Sequence, residues 1–363
     1  MRLHRVAIAL AYLLTVGLLV AGCGGDSDST SGSAEAQASM PAPPKSAFPA
    51  AKGRSLAEVL DLAARPSTFV VSPASMVFHK GENRYSFGVF RRDRTQVNDV
   101  ELALYFAKVP PAKEVRGEAG EDTPPGRQPK GAVARAKQEA LDQPAVGPFP
   151  ASIESLETLP AFRGVTTTND PDAAHVVYAA NVDFPSEGEW RIGALVKEDD
   201  ELTGALLPSA VIGQFDQVPS VGDKAPVIHT PTRADAGGDL SKITTRVPPD
   251  TQNEADFADV VGRKPVVLLF ATPQFCQSRV CGPVVDVAEQ VKQRYGDGVE
   301  FIHMEVFKDN DPGKGVRPQL RAYNLPTEPW LYVIDRNGII RTAIEGAFGV
   351  GELTRAVKEV AGG

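Results

Sequence analysis

Three kinds of hydrophobic pattern follow one another along the chain. Residues 6–20 (VAIALAYLLTVGLLV) form an unbroken, uncharged apolar run. Residues 24–54 have no apolar period and are rich in Gly, Ser, Ala and Pro. Such a segment cannot bury enough surface to offset its ordering entropy, and with Cys23 it predicts a flexible tether over 23–54. From residue 55 onward, apolar positions recur with strand and helix periods. Ser55 and Glu58 have capping-box spacing and open a short helix that Pro66 must end. Residues 83–91 (NRYSFGVFR), 99–107 (DVELALYFA), 175–184 (HVVYAANVDF) and 189–197 (EWRIGALVK) read as strands, the last two separated by the turn cluster PSEG. Between about 109 and 171 the pattern lapses into a Pro-rich, charged insertion with one candidate helix at 133–141. Short strands with turn residues between them predict an antiparallel β-sandwich over 55–217.

The pattern changes again at residue 219. Apolar strands at 265–271, 299–307 and 329–334 alternate with helical stretches at 282–294 and 317–323. The turn Asp335-Arg336-Asn337-Gly338 leads into a further strand at 339–343, and an amphipathic helix at 351–360 closes the chain. This order predicts an α/β domain over 219–363 with a sheet covered on both faces. The chain is therefore expected to be multidomain, a β-sandwich followed by an α/β domain.

Composition narrows the setting. The 363 residues include three cysteines, five histidines and a net charge of -8. That balance argues against binding a phosphate backbone, and no basic stripe, phosphate-cradling Gly loop or pair of histidines at metal-ligand spacing occurs. No nucleic acid, metal or cofactor is implied. Arg2 and Arg5 precede the apolar run, and Ala21 and Gly22 follow it before Cys23. The run is shorter than the roughly 20 residues a spanning helix needs and has the length of an export signal. Val20-Ala21-Gly22-Cys23 resembles the lipobox of bacterial lipoproteins, with Val where Leu is more usual. The resemblance implies a signal peptide at 1–22, cleavage before Cys23 and a lipid on its thiol. The alternative is an uncleaved anchor helix. Both place the bulk of the protein at the cell membrane, outside the cytoplasm.

Cys276 and Cys281 are the remaining cysteines, and an exported chain that keeps only two is expected to use them as a pair. In a regular helix, Cα atoms five residues apart lie about 8.7 Å from each other. A disulfide needs roughly 4.4–6.8 Å, so the pair cannot bridge within one unbroken helix. Gly282 and Pro283 fit a helix start, which predicts an irregular loop from Cys276 to Cys281 leading into the helix. A thiolate there is favoured by the helix N-terminus and by Arg279. The closed loop is very short, so its entropic gain is below the roughly 3 kcal/mol of a 15-residue loop. It is a poor staple and a reasonable redox switch.

The stretches VGDKAP (221–226), VVLLFATPQFC (266–276) and TEPWLYVIDRNGII (327–340) together resemble the thioredoxin-like superfamily, its redoxin and membrane-tethered thiol–disulfide branches in particular. The resemblance covers about 219–363. It implies that Cys276 is the nucleophile and Cys281 the resolving cysteine, with Pro329 a cis-proline that lines a substrate groove with its neighbours Glu328 and Trp330. Glu328 would oppose the thiolate. Four residues separate the cysteines where the redox family has two, and the strand before Cys276 holds Leu268, Leu269 and Phe270 where many thioredoxins carry a buried acid. The chain also resembles atypical two-cysteine peroxiredoxins in its offset, but Leu269 and Pro273 stand where those carry Pro and Thr. Copper-delivery proteins of the Sco type have a histidine where Thr327 stands here.

The run VVYAANVDFPSEGEWRIGALV resembles the closing hairpin of small immunoglobulin-like envelope modules, some linked to copper. Met76, His79 and His175 form no visible ligand cluster. The expected function is a membrane-anchored envelope thiol–disulfide oxidoreductase whose partners are envelope protein thiols and disulfides. The alternative is a non-catalytic envelope scaffold lipoprotein with a structural disulfide.

Overall fold

The computed structural model describes residues 38–111 and 130–362. Cys23, the apolar run, most of the expected tether and the centre of the expected insertion lie outside the described residues. Residues 40–54, expected to be tether, instead line the first sheet: Met40 bridges Ile153, and Phe48 and Ala51 are buried. Those two apolar residues find a pocket against α1 (Leu56–Leu60), a pairing that local composition does not reveal.

Eight strands build the first sheet: β1 (Arg65–Pro66), β2 (Val70–Pro73), β3 (Gly81–Phe90), β4 (Leu102–Lys108), β5 (Ala145–Ser155), β6 (Val176–Phe184), β7 (Gly188–Glu198) and β8 (Glu201–Ile212). Their order is β1-β8-β7-β4-β5-β6-β3-β2, and every pairing but that of β1 with β8 is antiparallel. The sheet curls around one aromatic core that includes Phe78, Tyr85, Phe87, Phe106, Tyr178, Phe184 and Trp190. Leu102, Leu104 and Phe106 of β4 face this core, while Ala103, Tyr105 and Ala107 pack on Leu56, Val59 and Phe48. Burial on both faces explains why the sequence of β4 alternates only partly.

The curl is made by β5, which pairs with β4 through residues 145–150 and with β6 through residues 151–155. Within the part paired to β4, where the register shifts between Leu104 and Phe106, Gly147 has φ +131° and a Cβ there would meet the Leu104 carbonyl oxygen at 2.9 Å. Only glycine fits. The hairpin expected between 175–184 and 189–197 does not form. β6 pairs with β3 and β5, and β7 pairs with β4 and β8, because β5 and β4 stand between them. The first part of the chain is thus a curled, mostly antiparallel sheet. The expected structureless insertion also contains a regular strand, β5, whose Pro148 and Pro150 hide it from pattern reading. α2 (Lys130–Glu139) occupies the candidate helix region.

The second sheet holds β9 (Val266–Ala271), β10 (Glu300–Glu305), β11 (Trp330–Ile334) and β12 (Ile340–Glu345) in the order β10-β9-β11-β12. β10 runs parallel to β9; β11 is antiparallel to both β9 and β12. Along β9 the period of two divides two cores. Val267, Leu269 and Ala271 face α5 (Cys281–Tyr295) and α7 (Val350–Ala361); Val266, Leu268 and Phe270 face α4 (Phe257–Val260) and the region of α6 (Pro318–Ala322). Between β5 and β6 lies α3 (Val165–Thr168), part of a connection that reaches across to α5.

Glu345 ties the two sheets together. Its carboxylate accepts the N–H groups of Met76 and Val77 at 2.8 and 2.9 Å and the Thr327 hydroxyl at 2.6 Å. Burial raises its pKa in spite of these donors. Stability from this group is therefore complete below the ordinary value of 4.5 and is lost as pH rises through the folded value. We expect Glu345→Gln, which keeps acceptors for both N–H groups without the buried charge, to be at least as stable as the native chain at pH 7 in urea unfolding. Glu345→Ala orphans both N–H groups and should lose about 2–4 kcal/mol.

Candidate functional site: a covered disulfide at a helix start

The six residues from Cys276 to Cys281, between the end of β9 and the start of α5, cannot form one unbroken helix if their sulfurs are to meet. Cys276 and Cys281 are joined as a disulfide with Cα atoms 5.8 Å apart, inside the range that an unbroken helix forbids. Cys276 lies in the loop and α5 begins at Cys281, with Pro283 in its first turn. The Cys281 N–H donates to Cys276 Sγ at 3.3 Å, and the Ser278 hydroxyl lies 3.2 Å from the same sulfur. The loop is irregular: Arg279 has φ +59°, a region uncommon for a side chain of its size. Cys276 is 8% exposed and Cys281 fully buried.

The connection between β5 and β6 lies over this loop. The Ala174 N–H donates to the Arg279 carbonyl at 3.1 Å, and Arg279 pairs with Asp170 at 2.9 Å. Arg279, expected to favour a thiolate, thus has its guanidinium engaged by a carboxylate that its own sequence neighbourhood does not contain. Gly282 faces Thr167, where a Cβ would come within 2.8 Å of the hydroxyl oxygen. Thr166, Thr167, Asp170, Gln274, Cys276 and Arg279 are among the residues around a cavity of about 30 Å³.

The Glu328–Pro329 bond is cis, as the family resemblance implies. Trp330 pairs with Phe270, so Pro329 enters β11 beside the end of β9, where the chain leaves for the cysteine loop. Glu328 is half-buried, and its pKa is raised by burial and by Glu305. Trp330, expected beside a substrate groove, is a core residue. It is buried, stacks on Tyr332 at 5.8 Å and donates its indole N–H to Thr327.

Beneath the loop lies a buried polar network whose partners come from segments far apart in the sequence. His303 on β10 has Nδ1 2.8 Å from Asp250 and Nε2 3.1 Å from the Ala271 carbonyl. Two acceptors call for two N–H groups, so the ring is an imidazolium. Burial works against both charges, yet Asp250 holds the His303 pKa above its ordinary value and His303 holds that of Asp250 below. Glu305 accepts the Thr245 N–H and hydroxyl at 2.8 Å each, and Thr245 Oγ1 accepts the Gln274 N–H two residues before Cys276. Arg246 pairs with Asp286 of α5 at 2.8 Å, both buried. Asp286 within VVDVAEQV and Glu305 within FIHMEV were the available signals: charges inside apolar runs. Met76 is exposed and His175 pairs with Glu157 at 2.8 Å. Among the described residues, no group of three His, Cys, Asp or Glu is placed to hold a metal.

No family model and no curated protein matches the sequence. Two solved structures from Chlorobium tepidum align with part of it. One, described as a thiol:disulfide interchange protein DsbE, is 18% identical over 39% of this chain and 98% of its own, with a TM-score of 0.29. The other, described as a thioredoxin family thiol:disulfide interchange protein, is 19% identical over 39% of this chain and 99% of its own, with a TM-score of 0.28. Two features implied by the resemblance read in the sequence are present in the second sheet: Cys276 lies before α5 with Cys281 at its start, and a cis-proline precedes β11.

His303→Leu leaves Asp250 buried without its cation and should cost about 3–5 kcal/mol in urea unfolding. The native chain's His303 contribution is complete below pH 6.5, the ordinary imidazole value, and is lost as pH rises through the raised folded value. That fall in stability above pH 6.5 should be absent from the variant.

Proposed function

We propose that the protein is a thiol–disulfide oxidoreductase of the cell envelope, held at the membrane by lipid on Cys23. The observation that carries the reading is a disulfide closed over only five residue steps at the start of α5, beside a cis-proline. So short a ring adds little stability, while a helix N-terminus supports a thiolate.

In the oxidised form, a partner thiolate attacks Cys276 Sγ, the less buried of the two sulfurs. The Cys276–Cys281 bond breaks, and Cys281 leaves with the electron pair. The partner's second thiolate then attacks the mixed disulfide, and Cys276 leaves as a thiolate. The partner ends as a disulfide, and this protein gains two electrons and, once both thiolates are protonated, two protons. The reverse sequence oxidises this protein and reduces a partner disulfide, with Cys276 as nucleophile and Cys281 as the resolving thiol. The N–H of Cys281 offers the Cys276 sulfur a hydrogen bond at 3.3 Å, which gains strength when that sulfur carries charge. Glu328 and the buried Pro329 precede β11 where it runs beside the end of β9, the strand from which the chain leaves for the cysteine loop.

A second reading, a structural pin in a non-catalytic scaffold, is favoured by the near-complete burial of both sulfurs. Two variants separate the readings. Cys281→Ser should accumulate a mixed disulfide between Cys276 and an envelope protein, seen as a reductant-sensitive mass shift, and Cys276→Ser should abolish exchange with protein dithiols. A Cys276→Ser chain that retains full turnover contradicts the enzyme reading. For the anchor, Cys23→Ser should move the protein from the membrane fraction to the soluble fraction; a variant that stays at the membrane contradicts lipidation of Cys23.

A further inference from the structure

The connection between β5 and β6 crosses the disulfide in two halves with unequal hold. Its first half is fastened to α5 and to the loop that carries Arg246. Leu159 donates its N–H to Gln290 at 2.7 Å, and Gly164 donates its own to Asp286 at 3.0 Å. Arg246 joins the same carboxylate and also reaches the Phe162 carbonyl at 2.7 Å. Arg246 and Asp286 are both buried, so opening this half would leave charges unpaired away from water, at a cost of several kcal/mol.

The second half, residues 166–174, is held to the cysteine loop by far less. One backbone bond runs from Ala174 to Arg279, one ion pair joins Asp170 to an Arg279 side chain that is 51% exposed, and Thr167 and Ala174 pack on α5 and its core without a buried charge of their own. An exposed pair of this kind is a weak hold, screened by solvent. Yet this half decides access. It leaves beside Cys276 a cavity of about 30 Å³, room for about one water, and Cys276 is only 8% exposed, so little of it is open to a sulfur nucleophile while this half is in place.

We propose that residues 166–174 are a gate over Cys276 and that Asp170 is the residue that sets its specificity. The inference rests on the oxidoreductase reading and deepens it. A small thiol needs only a narrow parting of the gate, whereas a folded protein dithiol needs the whole second half displaced. Asp170, through its hold on Arg279, therefore sets how strongly the site discriminates against folded partners. The hinge lies at Gly164 and Val165, between the buried fastening and the exposed latch.

The test measures the rate at which the Cys276–Cys281 bond is opened by dithiothreitol and by a folded protein dithiol of the thioredoxin type, in the full chain and in Asp170→Asn. The gate predicts a gain of about two- to fivefold with the folded reductant, the range an exposed ion pair supports, and a smaller gain with dithiothreitol. Asp170→Glu should return the ratio of the two rates towards the native value. Raising salt, which screens the latch, should close the difference between native chain and variant. The Ala174 amide should exchange with solvent deuterium faster in Asp170→Asn. Equal gains with both reductants overturn the gate and assign the effect to the charge released on Arg279; an unchanged ratio overturns it as well. In both of those cases the native disulfide still exchanges and the oxidoreductase reading stands. A disulfide that neither reductant opens in native chain or variant overturns both.

Discussion

A ring closed by sulfur over five residue steps cannot be helical, and that constraint organises the second half of the molecule. It forces the chain out of regular structure between β9 and α5, so Cys276 stays in a loop and Cys281 becomes the first helical residue. Both sulfurs are then gathered where β9 ends and the backbone N–H groups of α5 have no partners within the helix. The register of β11 on β9 brings the cis-proline to the same end of the sheet. The disulfide is thus supported by the sheet and the helix together, and neither element alone would position it.

The surroundings of the loop are unusually polar for a protein interior. His303, Asp250, Glu305, Arg246 and Asp286 are all buried, and each has a partner of opposite charge or a hydrogen-bond donor. Groups of this kind are tolerated only when their partners are held in place, which makes them positional devices. They fix the segment at 244–252, the start of the cysteine loop through Thr245 and Gln274, and the first half of the β5–β6 connection through Asp286. The curled sheet is therefore more than a spacer. Its connection between β5 and β6 contributes to the walls around Cys276, and its β2–β3 region is bound to β12 through Glu345.

The second sheet was largely legible in the sequence. Strands β9 and β11 are apolar on both faces, the turn into β12 carries Asn and Gly, and the helix start at Cys281 follows from sulfur geometry and Pro283. The first sheet was less so. Strand β5 carries two prolines and pairs with two different neighbours, and the irregularity in its pairing with β4 falls at Gly147, a single residue whose role only the backbone reveals. β8 contains Pro208 and lies beside an irregularity in its pairing with β7, so it too lacks a clean alternation. The cysteines and the cis-proline could be named in advance because their chemistry is local. The partners of Asp170 and Asp286 could not, since Asp170 is 109 residues from Arg279 and Asp286 is 40 from Arg246. Trp330 was misplaced because sequence adjacency to Pro329 says nothing about which face of β11 it occupies, and it occupies the apolar one.

The reduction potential of the Cys276–Cys281 pair, measured by equilibration of the purified protein with glutathione or dithiothreitol buffers, tests the central claim most directly. A dithiol that cycles should come to reversible equilibrium at a potential within about -120 to -270 mV, where exchange proteins fall. A value below about -300 mV, the range of disulfides that resist reduction, would contradict the account and leave the pair as a structural pin.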